Sequence, residues 1–497
     1  MSPFKSYAKR FWVVFAVLAL ACTSSQTFLR HGDSAKSIAQ LQQQIDTILQ
    51  DSLLHQSRTG IKVVSLTTGK VWYAKDSHLL FHPASNMKLL TTATALRTLG
   101  PDFRFNTALA VETEAFSDST IHGNLYLKGN ADPTLTTRDL WWLVQKLKRL
   151  GVKKIENNLV CDESYLDDLY LGNGWMWDDV SSKYWPPIGA LTVNRNCVTL
   201  TVSPGAKIGA PLHVQIEPQT NYVSIENFGV TVDSSDTTQQ RAYKTERKWR
   251  QPGNTIKIEG GLRKDSSSKR HIIEITQPAL YSGVLLAEIL SAENLEFSGE
   301  IIKGALPDSL VKLAERQSLP LAGILALTNK PSDNLYAELV LKTLGAELRG
   351  APGTAAKGLS VIKGFLNEIG VDSTTFALAD GSGNSRYNVI SPDHIIALLQ
   401  AMHEDFRLQA EFKASLPIAG VDGTLRNRMK GTAAEGKLRA KTGNLRGVSA
   451  LSGYTTSGDG EPLAFSMIME HFVGPNWKIK AIQDRIAALL SSFSRKN

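Results

Sequence analysis

The chain has 497 residues, of which 42% are hydrophobic and 21% charged, a composition that excludes a disordered or low-complexity protein. That length suggests about two to four domains, and a core of this size needs no metal or disulfide to hold it together. The net charge is +8, with Lys5, Lys9 and Arg10 in the first ten residues, so the remaining excess is mild and excludes a nucleic-acid footprint; three cysteines are too few for a disulfide scaffold or a four-thiolate zinc site.

In chain order, Lys5, Lys9 and Arg10 precede an uncharged apolar run, Phe11 to Ala21. The run suits a signal-peptide core and is too short to span a bilayer. Residues 1–26 are therefore expected to be an export signal, which places the protein in the periplasm. Two readings of its end stand side by side. Ala19 and Ala21 fit ordinary cleavage, and Cys22 directly after the apolar run fits a lipid anchor. In an oxidising compartment Cys161 and Cys197 can form a disulfide or remain two buried thiols, and both readings stay open.

Residues 35–54 carry Ile38, Leu41, Ile45, Ile48, Leu49 and Leu53 at helical spacing. Gly60–Leu66 and Val71–Ala74 read as a hairpin joined by Thr67–Lys70. A helix is expected from about Ser85 to Leu99, with Gly100 just past its end. From Pro101 to about residue 317, strand-like runs alternate with Gly, Pro, Asn and Ser turns, and helical periodicity is confined to Arg138–Leu150 and Leu285–Glu293. This stretch reads as a β-rich insertion. Helical patterns return at Leu335–Leu348, Ala356–Glu368 and Pro392–Met402. Three strands (Lys437–Thr442, Val448–Thr455, Leu463–Glu470) and a helix near Trp477–Phe493 close the chain. The strands at the two chain ends are expected to share one antiparallel sheet flanked by helices, an α+β architecture.

Three short motifs carry chemistry. Ser85-Asn86-Met87-Lys88 puts a hydroxyl and an amine one turn apart on a helix, where a desolvated neutral lysine can activate a serine nucleophile. The same spacing recurs at Ser2/Lys5, Ser266/Lys269, Ser309/Lys312 and Ser360/Lys363, but only the Ser85 copy opens an apolar helix after a Pro-Ala turn. Ser332-Asp333-Asn334 opens a strong helix and offers a second hydroxyl and an amide for proton relay and orientation of a carbonyl. A competing Ser-x-Asn at Ser382–Asn384 lies in a Gly-rich turn and is ranked second. Lys441-Thr442-Gly443 ends a β-run on an edge strand, where Lys and Thr can bind a carboxylate and Gly lets the backbone approach a ligand closely. Taken singly, each has a plainer explanation: an N-cap, a capped helix start, an exposed strand end.

Jointly, in this order and in these local settings, they are the Ser-x-x-Lys, Ser-x-Asn and Lys-Thr-Gly set of penicillin-binding proteins and serine β-lactamases. The 247-residue gap from Ser85 to Ser332 and the stretches GNADPTL (129–135), GWMWDD (174–179), LTVNRN (191–196), DGSGNSRYN (380–388), GVDGTLRNRM (420–429) and AKTGNLRGVSALSGY (440–454) sharpen the match. The sequence resembles the D-alanyl-D-alanine carboxypeptidase/endopeptidase family of class C low-molecular-mass penicillin-binding proteins (penicillin-binding protein 4 type, peptidase family S13), over roughly residues 40–490. It departs from the family at Asn130-Ala131, where glycines are common, and at Asn444, where Ser is common.

The resemblance implies a transpeptidase domain (residues 27–100 and 318–497) split by the insertion (101–317), which would form two smaller β-rich domains. It implies peptidoglycan stem peptides as substrate and β-lactams as covalent inhibitors. In that scheme Ser85 attacks the carbonyl between two D-alanines, Lys88 takes its proton and Ser332 relays a proton to the leaving amine. Asn334 positions the substrate amide and Lys88, and Lys441, Thr442 and Gly443 serve the terminal carboxylate. The backbone N–H groups of Ser85 and Asn444 form the oxyanion hole. No metal or cofactor is called for: the only His-Glu pair, His403-Glu404, has Arg407 where a second zinc-binding His would stand. His82 and His394 read as surface or core groups, and Trp141, Trp142, Trp175, Trp177 and Trp185 as packing residues. The basic run Lys244–Arg250 reads as a solvated face, with attraction to an anionic wall or membrane as the alternative. A β-lactamase or esterase on the same fold and a non-catalytic wall-binding protein are the competing functions.

Overall fold

A computed structural model describes residues 37–176, 184–307 and 309–495. The expected signal segment with Cys22, and Trp177–Asp179 of the GWMWDD stretch, lie outside the described residues.

The first helix, α1 (Ile38–Leu49), starts at Ser37, whose hydroxyl accepts from Gln40 N, and buries Leu41 and Ile45. It is shorter than the sequence periodicity suggests, because Asp51 caps a separate turn at Ser52–Leu54. Strands β1 (Arg58–Ser65) and β2 (Val71–Lys75) form the hairpin, and α2 (Met87–Leu99) ends at Gly100, φ 83°.

The stretch that follows is mixed rather than purely antiparallel. Among its elements are β3 (Asn106–Glu112), β4 (Leu125–Gly129), α3 (Thr137–Arg149), β5 (Leu159–Asp162), β6 (Cys197–Ser203), β7 (His213–Glu217), β8 (Lys269–Glu274), α4 (Pro278–Ala292), β9 (Ile301–Lys303) and β10 (Leu310–Gln317). Strands β9-β5-β4-β3-β10 make one sheet, in which β5 runs parallel to both β4 and β9; β7-β6-β8 make another. These elements share their own apolar cluster, with Leu127, Leu143, Leu200 and Leu286 among its fully buried members. Helix α4 begins seven residues before its expected start, because Gln277 turns left-handed (φ 53°) and Pro278 takes the first helical position. The basic run is solvated only at its ends: Lys244 and Arg250 are exposed, but Arg247 is buried and paired with Glu274 at 2.9 Å, and Lys248 pairs with Glu226. Trp141 and Trp142 are part-exposed, and the Trp141 indole donates to Glu293 at 2.6 Å.

Then come α5 (Leu321–Asn329), α6 (Asn334–Arg349), α7 (Ala355–Glu368), α8 (Pro392–Glu404), α9 (Gln409–Ser415), β11 (Arg439–Leu445), β12 (Val448–Thr456), β13 (Pro462–Glu470) and α10 (Asn476–Ser492). Two of these, α5 and α9, escaped the sequence reading; both are short, and α5 is apolar nearly all round, so it shows no polar face.

The chain-end strands do build one antiparallel sheet, in the order β2-β1-β13-β12-β11. Alternation sorts its central strand between two cores. Leu463, Phe465, Met467 and Met469 face the cluster that includes α1 and α10, whereas Ala464 and Ile468 face the cluster of α2, α6 and α8. Helix α2 is buried from Met87 to Leu96 and α6 from Asn334 to Ala346, so both are interior helices covered on every side. Two buried hydroxyls of α2 are satisfied internally: Thr91 donates to Gly381 O and Thr92 to Lys88 O.

Cys161 and Cys197 are not bonded to each other, which removes the disulfide reading. They sit in different sheets: Cys161 on β5 packs against Gly283 of α4, and Cys197 opens β6. Burial pushes the Cys161 thiol up to about 12, so it is inert in the folded protein. Accordingly, a maleimide added after unfolding without reductant should modify both positions, as read by peptide mass spectrometry; protection of both until reductant is added would show that they are bonded.

Candidate active site

Ser85 does not cap α2. It lies inside a tight turn, Ala84–Asn86, that leads into the helix, and it stays half-buried while its neighbours are fully covered. The turn is shaped by Ala84, a non-glycine residue with φ 46°. Such a conformation costs about 1–3 kcal/mol and persists only when the surroundings impose it. Here two glycines do so. A Cβ on Gly443 of β11 would stand 2.7 Å from Pro83 O and 3.1 Å from Ala84 Cβ, and one on Gly383 (φ 84°) would stand 1.8 Å from Ala84 O. The glycine of Lys441-Thr442-Gly443 therefore admits the serine-bearing turn against the strand, rather than serving only an approach to ligand.

Lys88, on the first turn of α2, has no exposed surface. Its Nζ lies 3.0 Å from Ser85 Oγ, 2.7 Å from Asn334 Oδ1 and 2.7 Å from the backbone carbonyl of Ser382. Desolvation lowers its pKa from 10.5 to about 8, against the opposing pull of Asp380, Glu338 and Asp333. A neutral amine keeps two N–H donors for Asn334 and Ser382 O and turns its lone pair to the Ser85 hydroxyl.

Ser332 precedes α6 and is left-handed, φ 64°. Asp333 caps the helix by accepting from Tyr336 N, and Asn334 is its first residue. The Asn334 amide bridges two segments, accepting from Lys88 and donating to Tyr184 O at 2.9 Å. Lys441, on the edge strand β11, is fully buried and donates to Ser332 Oγ at 2.8 Å and to Thr442 O at 3.0 Å. Burial, then the proximity of Lys88, holds its pKa well below the usual lysine value. Thr442 Oγ1 donates to Thr424 Oγ1 at 2.9 Å.

Ser85, Ser332, Asn334, Thr442 and Asn444 line one cleft of about 780 Å3; Lys88, Lys441 and Gly443 support its floor without lining it. The competing Ser382 is fully buried and contributes a carbonyl, not its hydroxyl, to Lys88. Trp185 lines the cleft and Trp175 donates its indole N–H to Asp380 at 2.9 Å, so these two are more than packing residues. His82 is paired with Glu470 at 2.8 Å.

Two buried carboxylates escaped the sequence reading. Glu338 lies one helical turn after Asn334 and accepts from Gly381 N at 3.0 Å and Ser382 N at 2.8 Å. It thereby fixes the backbone just before the Ser382 carbonyl that holds Lys88. Burial, reinforced by Asp380, raises its pKa to about 7. Asp380 accepts from Gly383 N, Ser385 N and Asn388 Nδ2 within 2.8 Å, which folds the DGSGNSRYN stretch into a compact loop. The signals were present, a Glu four residues after Asn334 on an apolar helix and an Asp heading a Gly-rich run, but neither points to its partner in the sequence. Thr424, inside the GVDGTLRNRM stretch, likewise carries no sequence signal of its role. Among the described residues, no group of three or more His, Cys, Asp or Glu is placed to hold a metal ion, and no helix is long and apolar enough to cross a membrane.

Comparison with known proteins agrees with this geometry. The model of the D-Ala-D-Ala carboxypeptidase 3 (S13) family matches residues 41–493. A D-alanyl-D-alanine carboxypeptidase of Actinomadura sp. (strain R39) is 35% identical over 479 residues, covering 93% of this chain and 86% of that protein. D-alanyl-D-alanine carboxypeptidase DacB of Haemophilus influenzae is 28% identical over 387 residues, covering 77% and 79%. The crystal structure of penicillin binding protein 4 from Haemophilus influenzae superposes with a TM-score of 0.80 at 25% identity, covering 90% of this chain and 99% of that one. Family match, relatives and fold agree: the chain belongs to the D-Ala-D-Ala carboxypeptidase 3 (S13) family.

Proposed function

We propose that the chain is a penicillin-binding, serine-type D-alanyl-D-alanine carboxypeptidase of peptidoglycan stem peptides that works through an acyl-enzyme at Ser85. The observation that carries this reading is the buried Lys88 amine held between Ser85 Oγ and Asn334 Oδ1. Lys88 accepts the Ser85 proton as Oγ attacks the carbonyl between two D-alanines. The backbone N–H groups of Ser85 and Asn444 receive the developing oxyanion, a donor pair typically worth about 10²–10³ in rate per donor. Ser332, held by Lys441, passes a proton to the leaving amine, and the bond to D-alanine breaks. Water then hydrolyses the acyl-enzyme. Thr442, with Thr424 behind it, offers the hydroxyl for the terminal carboxylate, and the two buried lysines supply the positive potential. The same attack on a D-alanyl cross-link is endopeptidase action. A β-lactam presents a strained amide to the same serine and acylates it.

The reading includes the division of labour expected from sequence: a catalytic unit of residues 27–100 and 318–497, interrupted by a β-rich insertion at 101–317. It also includes export by residues 1–26 to the periplasm, ending either in ordinary cleavage after Ala21 or in lipidation of Cys22.

Fluorescent penicillin tests the assignment. Wild type should carry a long-lived label that maps to the Ser85 peptide; Ser85→Ala should carry none, and Ser332→Ala should turn over slowly. Ser382→Ala should behave like wild type, because its carbonyl survives the substitution. Label on Ser85→Ala, or a crippled Ser382→Ala with a normal Ser332→Ala, would overturn these residue roles, and prompt release of the label would favour a β-lactamase.

The amine must be neutral to act as base. Below about pH 8 the neutral fraction of Lys88 falls about tenfold per pH unit, so the acylation rate constant should rise with unit slope up to about pH 8 and then level off. Stopped-flow acylation from pH 6 to 9 checks this, and a flat profile would mean that Ser85 is activated by another group.

A further inference from the structure

Within the inserted stretch, Asn194, Arg195 and Asn196 are three consecutive non-glycine residues with φ of 50°, 61° and 52°. A single such residue is uncommon and costs about 1–3 kcal/mol, so three in a row must be imposed. They are. The Asn194 amide holds Thr137 at the start of α3, accepting from its N and donating to its Oγ1. The Asn196 amide donates to Pro187 O and Thr192 Oγ1.

The product of this strained turn is the placement of Arg195. Its guanidinium pairs with Asp333, the residue between Ser332 and Asn334, and lies 6.0 Å from the Tyr336 ring centre. Asp333 is almost fully buried and caps α6, so Arg195 fixes the start of the helix that carries Asn334.

Arg195 also lines a separate cavity of about 660 Å3, between the start of α3, the left-handed turn and strands β6 and β8. Arg138 and Arg270 line it too, both exposed and without an ion pair among the described residues; Glu217 is the one carboxylate in the lining, so with Arg195 paired to Asp333 a surplus of one positive charge remains. Thr137 and Thr199 add hydroxyls. The Arg195 Nε–H is shut off from solvent and has no partner among the described residues. Planar guanidinium forks match phosphate oxygens two at a time, and the volume exceeds what a bare phosphate needs.

We propose that this cavity is a second ligand site, for a small phosphorylated compound, and that its occupant draws on the Arg195 guanidinium that otherwise clamps Asp333. Ligand binding then loosens the Ser332–Asn334 segment and slows acylation of Ser85. The binding claim is independent of the proposed activity; the coupling claim rests on it.

Inorganic pyrophosphate is the probe, in metal-free buffer at constant ionic strength. Calorimetry on the full chain should show saturable binding at one site, and Arg138→Ala/Arg270→Ala should weaken it about tenfold or more. Pyrophosphate at the wild-type dissociation constant should slow acylation by penicillin in wild type and slow the double variant far less, in step with its weaker binding. Arg270→Gln, on the exposed face of β8, provides a milder variant in which the same weakening is expected should the double variant fail to fold. Absence of saturable heat, or equal affinity in the variants, would overturn the site. Equal affinity for citrate would overturn its phosphate preference. Binding without any change in acylation rate would overturn the coupling through Arg195.

Discussion

A lysine amine with no water around it is the constraint on which the rest of the site depends. Lowering the Lys88 pKa from 10.5 to about 8 corresponds to about 3 kcal/mol of native-state stability forgone. The sign follows from linkage: the unfolded chain holds this proton more tightly, so the penalty is full below pH 8 and disappears as pH rises past 10.5. In the proposed mechanism the lowered value has a use: it leaves about a tenth of the amine neutral at pH 7 and able to act as base. Asn334 Oδ1 and Ser382 O, each 2.7 Å from Nζ, keep the two N–H groups satisfied so that only the lone pair is left for Ser85.

The surrounding architecture converges on holding that amine and its serine in register. Glu338 holds the N–H groups of Gly381 and Ser382 just before Ser382 O, and it stands on the same face of α6 as Asn334, so one helix bears on two of the amine's three contacts. Gly443 and Gly383 press from opposite segments on the Pro83–Ala84 turn and force Ala84 into a left-handed conformation. Any side chain at these glycines would move Ser85 before it touched a substrate. Asp333, paired with Arg195, ties the start of α6 to the Asn194–Asn196 turn, far away in the chain.

What the sequence made legible were local patterns. Ser85 with Lys88, Ser332 with Asn334, and Lys441 with Thr442 are each separated by three residues or fewer, and each motif sits at the start of a helix or on a strand whose period is plain. The antiparallel sheet from the chain ends follows from the same periodicity. What stayed hidden depends on contacts across hundreds of positions. Nothing near Glu338 in the chain announces Ser382, and nothing near Arg195 announces Asp333. Ala84, Ser332 and Asn194–Asn196 carry side chains where a left-handed backbone ordinarily calls for glycine, so that conformation was invisible in the sequence. Short α5 and α9 lack the two-turn polar stripe that periodicity needs, and the solvated reading of Lys244–Arg250 failed at Arg247 because its partner, Glu274, lies on another strand.

Direct titration of Lys88 tests the central claim. In protein labelled with 13C and 15N at lysine side chains, the Cε and Nζ signals that vanish in Lys88→Arg should titrate with a midpoint near 8 while exposed lysines titrate near their ordinary value. A Lys88 midpoint at 10 or above would mean that the amine is charged in the resting protein and cannot be the base that activates Ser85.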